Sequence, residues 1–543
     1  MFCYQCEQTA EGRGCTQSGI CGKQPDTAAM QDLLIYALRG LSMVATEATR
    51  NSCNNIKVNR FMAKALFSTL TNVNFDPERF VQLINECVEL REQLKKEVTH
   101  AGGRDIFRLA AANFKPAATL AEMIEQGEKL GSITPDPDLD PDAEALKQLL
   151  IYGLKGAAAY THHASALGFE DSHVYDFISE GLMSTLNDGL HLEALFYLIS
   201  RCGETNLRAM QCLYEANTKT FGDPAPVQVS TGVKAGKAIV VSGHDLKILS
   251  EILKATEGTG INVYSHGEML PAHGYPELHK YAHFCGHYGT AWQNQQDEFA
   301  AFPGAIVMTT NCLIKPLDSY KDRIFTIDVT GWPGVAHLAE GDYAPVIAKA
   351  QQLEGFAADK AGKTLSTGFG LKAVTNVAGK IVELVRARKI RHFFLVGGCD
   401  GPEETRKYYT EFVEKVPKDC IVLTLGCGKF RFIDQDLGDI EGIPRLIDLG
   451  QCNDTYSAVM IVDALARAFE CSALDLPLSL IISWFEQKAV GILLALFFLN
   501  IRDIRLGPTL PAFISPKTLA WMSEHFNIMP IRTPDADLKS ILG

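Results

Sequence analysis

Seven times between Ala238 and Lys488 a short apolar run rich in β-branched residues ends, a turn follows, and a residue able to bind a metal comes next. Ala238-Ile-Val-Val leads to His244, Ile261-Asn-Val-Tyr to Glu268, Ala305-Ile-Val-Met to Cys312 and Phe393-Phe-Leu-Val to Cys399. Ile421-Val-Leu-Thr-Leu leads to Cys427, Leu446-Ile-Asp-Leu to Cys452 and Leu480-Ile-Ile to Glu486. Runs of this kind read as buried parallel strands, and open α/β sheets bind ligands just beyond the carboxyl ends of their strands. The pattern predicts that four thiolates, an imidazole and two carboxylates converge on one buried polynuclear metal site.

A chain of 543 residues has room for about three or four domains of ordinary size. Its net charge of -13 speaks against nucleic acid or an anionic membrane as a partner, because either would repel it. The opening Met1-Phe-Cys-Tyr-Gln-Cys6 has neither a basic nor an apolar leader segment, so the expected location is the cytoplasm. In that compartment the 15 cysteines point to metal or redox chemistry rather than a disulfide framework. The longest apolar stretch, Ala489 to Ile501, is too short to span a bilayer and is expected to be a buried helix.

Residues from about 27 to 220 carry apolar positions at three- and four-residue spacing, as in Phe80-Val-Gln-Leu-Ile-Asn-Glu-Cys-Val-Glu-Leu90, which predicts helices. Leu33-Leu-Ile-Tyr-Ala-Leu-Arg-Gly40 returns as Leu149-Leu-Ile-Tyr-Gly-Leu-Lys-Gly156, and each copy is expected to open a helix. The Pro/Asp-rich linker from Thr134 to Asp142 separates the copies, so the half reads as two related helical bundles. At Phe221-Gly-Asp-Pro-Ala-Pro226 the pattern changes to alternating strand and helix, with helical segments at Tyr343 to Leu353 and Leu371 to Arg388. Gln351 to Gly370 interrupts that rhythm and marks a break between two α/β domains. The expected division is 1–222, 223–358 and 359–543.

At the N-terminus Cys3, Cys6, Cys15 and Cys21 bring four thiols together among glycines that let the loop wrap closely. Taken alone, the spacing suits a four-cysteine zinc knot or a [4Fe–4S] cluster, and it is not that of a bacterial ferredoxin. The second cysteine-rich constellation weighs toward iron, since a redox site needs an electron relay. Cys312, Cys399, Cys427 and Cys452 each follow a strand, and the glycines beside Cys399, Cys427 and Cys452 allow backbone to approach a bulky inorganic core. His244, Glu268 and Glu486 set three harder groups against four soft thiolates, an asymmetry that favours labile positions. Cys53, Cys87, Cys202, Cys212, Cys285, Cys420 and Cys471 read as mid-helix or mid-strand and are assigned to packing.

The segments Met1-Phe-Cys-x2-Cys6, Gly19-Ile-Cys-Gly-Lys23, Gly397-Gly-Cys-Asp-Gly401, Leu425-Gly-Cys-Gly-Lys-Phe-Arg-Phe432, Gln451-Cys-Asn-Asp454 and Glu486-Gln-Lys-Ala489 complete a pattern that runs through the whole chain. In these the chain resembles the hybrid-cluster protein (prismane protein) family, also called hydroxylamine reductase. The resemblance implies a helical domain of two three-helix bundles followed by two Rossmann-like α/β domains, a multidomain α + α/β fold shared with nickel-containing carbon monoxide dehydrogenases. It implies a [4Fe–4S] cubane on Cys3, Cys6, Cys15 and Cys21. It also implies a hybrid [4Fe–2O–2S] cluster on His244, Glu268, Cys312, Cys399, Cys427, Cys452 and Glu486, with a persulfide on Cys399. No ligand position departs from the family's pattern.

The implied activity is the two-electron reduction of hydroxylamine to ammonia and water, with electrons from an external ferredoxin-like or flavin/iron–sulfur donor protein. His244, Glu268, Glu486 and Lys488 are the candidate proton carriers, because N–O cleavage needs an acid for the leaving hydroxyl. The simpler reading of Lys488 is a charge partner for a ligand carboxylate. Reduction of nitric oxide to nitrous oxide makes the same demand per product, and the ligands do not separate the two reactions. A signalling role, passing nitric oxide to partner thiols, and a nickel-dependent carbon monoxide dehydrogenase role are further alternatives.

Two local matches are set aside. Gly362-Lys363-Thr364 looks like the end of a phosphate loop, but Ala357 stands where that motif needs its first glycine. His283-Phe-Cys285-Gly-His287 lacks a fourth partner and is expected to be structural.

Overall fold

The computed structural model describes residues 1–53, 55–103, 107–131 and 139–543; Thr134 to Asp138 of the expected linker lie outside them. Helices come first: α1 (Pro25–Arg50), α2 (Ile56–Ser68), α3 (Pro77–His100), the short α4 (Leu120–Leu130), α5 (Pro141–Ala166), α6 (Ser172–Ser184) and α7 (Leu192–Phe221). The triplets α1–α3 and α5–α7 match closely, at 26, 13 and 24 residues against 26, 13 and 30. Both long helices begin with proline at the first turn, where a missing N–H costs nothing. The repeated octapeptide therefore does not open its helices; each copy begins about two turns inside, after a start set by Pro25 or Pro141. The triplets are also not independent bundles. α2 packs chiefly on α5, and α6 on α1, so the repeats exchange their middle helices and share one core.

Beyond α7, β1 (Val227–Ser230) precedes a parallel sheet of β2 (Ala238–Ser242), β3 (Asn262–Ser265), β4 (Phe284–His287), β5 (Ala305–Met308), β6 (Ile324–Ile327) and β7 (Ala336–Leu338), ordered β4-β3-β2-β5-β6-β7. β8 (Thr364–Thr367) then runs back antiparallel to β1. The second sheet uses β9 (His392–Gly398) and β10 (Cys420–Thr424), followed in the chain by a small hairpin of β11 (Asp439–Ile440) and β12 (Ile443–Pro444). It is completed by β13 (Leu446–Asp448), β14 (Leu478–Ser483), β15 (Ile504–Gly507) and β16 (Met529–Pro530), in the order β13-β10-β9-β14-β15-β16. Strand order reverses between β2 and β5 in one sheet and between β9 and β14 in the other. These are the switch points where such sheets open a crevice.

The apolar stretch forms the helix Gln487–Phe498, stopping short of Ile501, where Asn500 turns left-handed at φ 57°. It lies against α5 and α7 so closely that a Cβ on Gly203 would come within 2.2 Å of the Leu494 carbonyl oxygen. Among the described residues no helix is long and apolar enough to cross a membrane. The helical reading of 371–388 resolves into two helices, Leu371–Thr375 and Ala378–Arg386. Cys53 and Cys471 correct another expectation: each sits in the turn just after a helix rather than inside one, packed against the core. Lys363 begins no phosphate loop, since its N–H donates to Thr231 Oγ1 and its ammonium pairs with Asp434. His283, Cys285 and His287 go to separate partners, Thr256, Asn262 and Ser265.

Candidate metal centre

All seven predicted strand–turn–ligand units are present, and the reversing strands carry the residues nearest the crevice: His244 after β2, Cys312 after β5, Cys399 after β9 and Glu486 after β14. Close approach of the turns depends on glycine. Gly398, at φ 107°, would put a Cβ 2.0 Å from the Ser483 carbonyl oxygen, so β9 and β14 deliver Cys399 and Glu486 side by side only without a side chain there. Cys312 itself holds a left-handed φ of 76°, a costly conformation for a cysteine that the surrounding contacts maintain.

The ligand atoms of His244, Glu268 and Cys452 all lie within 4.8 Å of one another. His244 Nε2 is 3.9 Å from Glu268 Oε2, which accepts the Cys452 N–H at 2.8 Å, while His244 Nδ1 faces Thr310 Oγ1 at 3.2 Å. The thiols of Cys312 and Cys427 hydrogen-bond to each other, and Cys399 takes the N–H of Glu486. Asn311 Nδ2 joins the two groups, donating to Glu486 Oε1 at 3.4 Å and standing 3.7 Å from Cys312 Sγ. The division is therefore not four thiols on one side and three harder groups on the other. Cys452 belongs with His244 and Glu268, and Glu486 with the remaining thiols.

Electrostatics favours a bound cation. Burial pushes the Cys399 thiol up to about 12, and it lifts Cys452 and the carboxyls of Glu268 and Glu486 above their ordinary ranges. Burial, with the Lys488 charge next, holds His244 well below the imidazole range, so the ring is neutral. Glu268 Oε1 is buried with no hydrogen-bond partner among the described residues. A buried donor set that resists ionising alone, with a carboxylate oxygen left unsatisfied, fits a polynuclear iron group that would neutralise it.

Cys3 and Cys15 pair across a two-residue bridge, Phe2 N–H to Cys15 O at 2.9 Å and Cys15 N–H to Cys3 O at 2.8 Å. A hydrogen bond from Cys6 draws the Cys21 thiol down to about 6, against burial and with Lys23 assisting. This loop is clamped to the larger site. Arg406 reaches Glu7 Oε2 at 2.6 Å, Ser483 Oγ at 2.6 Å and Trp484 O at 3.2 Å, while Gln487 Nε2 donates to Gln5 O at 2.6 Å. Cys6 shares one apolar cluster with Trp292, Phe485, Cys312 and Cys427, so dry packing connects the two thiol sets.

Lys488 Nζ donates to Cys452 Sγ at 3.2 Å and to Asn453 Oδ1 at 3.3 Å, and its main-chain N–H donates to Glu486 Oε2 at 2.8 Å. Sequence reasoning overlooked Lys429, fully buried and bonded to Asp448 Oδ1 and Gly450 O, each at 2.7 Å, where it props the Cys452 turn. Its signal was available: a lysine two residues past Cys427 in a glycine-rich turn. Asn311, Thr310 and Arg406 carried no such mark.

Two parallel sheets and a helical repeat, with thiol, imidazole and carboxylate side chains gathered beyond the strand ends, define an α/β protein with a largely buried cluster of candidate ligands of mixed hardness. The family model described as Prismane/CO dehydrogenase family matches residues 1–539. The chain belongs to the Prismane/CO dehydrogenase family. It is 57% identical over 543 residues, all of both chains, to the hydroxylamine reductase of Syntrophobacter fumaroxidans, and 50% identical over the full length of that of Trichormus variabilis. Carbon monoxide dehydrogenase IV from Carboxydothermus hydrogenoformans shares the fold, with a TM-score of 0.55 at 15% identity, covering 99% of this chain and 92% of that one.

Proposed function

We propose that this chain is a cytoplasmic hydroxylamine reductase, combining hydroxylamine with two electrons and two protons to give ammonia and water. The observation that carries the reading is the convergence of His244, Glu268 and Cys452 within 4.8 Å beside a buried lysine, in a chain whose full-length relatives bear that name. Cys3, Cys6, Cys15 and Cys21 would hold a [4Fe–4S] cluster. His244, Glu268, Cys312, Cys399, Cys427, Cys452 and Glu486 would hold a hybrid [4Fe–2O–2S] cluster, with a persulfide on Cys399. When bound, these groups supply electrons and an open position for nitrogen or oxygen.

The chain's own residues do the rest. Trp292 and Phe485, ring centroids 4.7 Å apart, keep water from the space between Cys6 and the larger site. Burial works against the charge on Lys488, but Cys452, Glu486 and Cys312 outweigh it and keep the ammonium protonated. A fixed cation in a dry site stabilises negative charge developing on the leaving oxygen. Electrons enter from an external donor, either ferredoxin-like or a flavin/iron–sulfur reductase.

Nitric oxide is the second substrate reading, and one feature favours it. A cavity of about 360 Å³ runs from Cys399, Cys452 and Glu486 past Leu480 and Leu493 toward Arg502, and its lining is largely aliphatic. An uncharged diatomic gas enters such a passage without losing hydrogen bonds. Turnover of the anaerobically purified protein with each substrate, using one electron donor, tests both. Ammonium formation supports the first reading, and fully loaded protein that forms none overturns it.

A further inference from the structure

We infer that His163 of α5, held by Asp245, delivers protons to the ligand site and is recharged from solvent through His162, which Asp328 orients. The inference rests on the reductase reading, because that reaction consumes two protons per turnover. The site's own groups are committed to holding it together. Lys488 is engaged by Cys452 and Asn453, His244 is neutral, and Glu268 and Glu486 each accept a main-chain N–H. The aliphatic cavity is no path for protons either.

His163 is only 4% exposed, and its Nδ1 lies 3.4 Å from Asp245 Oδ2. Asp245 is fixed in turn, its Oδ1 accepting the Ile248 N–H at 2.9 Å. A carboxylate on one ring nitrogen sets the tautomer and leaves the other nitrogen free to accept and release a proton. That other nitrogen, Nε2, is buried with no hydrogen-bond partner among the described residues. The ring stands beside the site, because Asp245, which holds it, directly follows His244 in the chain. One turn earlier on α5, the Tyr160 hydroxyl donates to the Lys488 carbonyl oxygen at 3.3 Å.

The outer half of the route lies on the same helix. The His162 ring centroid is 6.4 Å from that of His163, and both rings pack edge-on against Phe67. His162 Nε2 is 2.6 Å from Asp328 Oδ2, and Asp328 Oδ1 is 2.9 Å from Nζ of Lys64, whose side chain is 39% exposed. Among the described residues, Asp245, His244, Lys488 and His162 are the charged or titratable groups near His163, with Asp328 behind them. Burial holds the His163 ring below the ordinary imidazole range, although Asp245 opposes this, so once charged it releases its proton readily.

In each turnover the N–O bond breaks and two electrons from the donor protein go to nitrogen. One proton joins the departing hydroxyl to make water, and the other joins nitrogen to make ammonia. His163 passes each from Nε2 and takes a replacement from the His162 side.

The test compares cluster-loaded wild type, His163→Gln and His162→Gln by steady-state kinetics across pH in H2O and D2O. H163Q is expected to keep its iron content, electron paramagnetic resonance signals and KM, to lose about 10²-fold in kcat, and to lose the alkaline limb of the kcat profile. H162Q is expected to lose several-fold in kcat and to show a larger solvent isotope effect. A loaded H163Q with wild-type kcat and pH profile overturns the inference. Should H163Q fail to load, an H162Q enzyme with unchanged kcat and isotope effect overturns it instead. Wild-type protein that is fully loaded yet turns over no hydroxylamine sinks the reductase reading, whereas active wild type with indifferent variants sinks the relay alone.

Discussion

The ammonium of fully buried Lys488 donates to Sγ of the half-buried Cys452 across 3.2 Å. Lysine and thiol come from two strands of one sheet that do not pair with each other, Cys452 from the turn after β13 and Lys488 from the first turn of the helix Gln487–Phe498 that follows β14. Lys488→Met keeps the volume and removes the charge. It should lower kcat by about 10²-fold, the size of losing one fixed stabiliser of developing charge. Ammonium release, measured beside iron content, checks this; a loaded K488M enzyme within twofold of wild type would show that the lysine only packs.

Glu7 and Arg406 form an ion pair whose side chains are 2% and 0% exposed. Glu7→Gln leaves Arg406 with Glu403 as its remaining charge partner, so the loss should fall near the lower end of the range for a broken buried pair, about 3 kcal/mol. A lowered thermal midpoint is expected. Because the pair holds the N-terminal loop to Trp484, single-turnover reduction of the larger site should also slow. An unchanged midpoint would mean the loop is anchored elsewhere.

Asp328 has a pH signature. Burial alone would raise its carboxyl, but His162 and Lys64 more than offset this and hold it well below the usual carboxylate range. A group depressed on folding contributes stability that is fully present above its unfolded pKa, about 4, and is lost as pH falls through the folded value. Asparagine tolerates the residue's φ of 57°, so Asp328→Asn tests charge alone. D328N should melt below wild type at pH 7, with the gap narrowing as pH drops below 4. A gap independent of pH would assign the effect to packing.

Val462 lines the cavity between the site and the surface. Val462→Trp should cut kcat/KM for nitric oxide several-fold while leaving saturating kcat and the cluster spectra intact. Stopped-flow mixing with dissolved gas measures this, and an unaltered second-order rate would place the entrance elsewhere.

Much of this was legible because the chemistry sits at strand ends, where period and punctuation are local. A residue such as Cys399 announces itself by the run before it and the glycines around it. His163 and Asp245 did not, since each is ordinary in its own segment and their pairing depends on how α5 docks on the first sheet. The exchange of α2 and α6 was hidden for a related reason: both middle helices carry an apolar face, so the sequence does not say which stripe meets which. Cys452 falling in with His244 and Glu268 likewise depends on the relative placement of two sheets, which strand patterns leave open.

The most direct test of the central claim is metal analysis and electron paramagnetic resonance of anaerobically purified protein, beside Glu268→Gln and Cys6→Ser variants. The account predicts iron and no zinc, with two distinct cluster signals. E268Q should lose or alter one and C6S the other. Zinc in place of iron, or a single signal that responds alike to both variants, would contradict it.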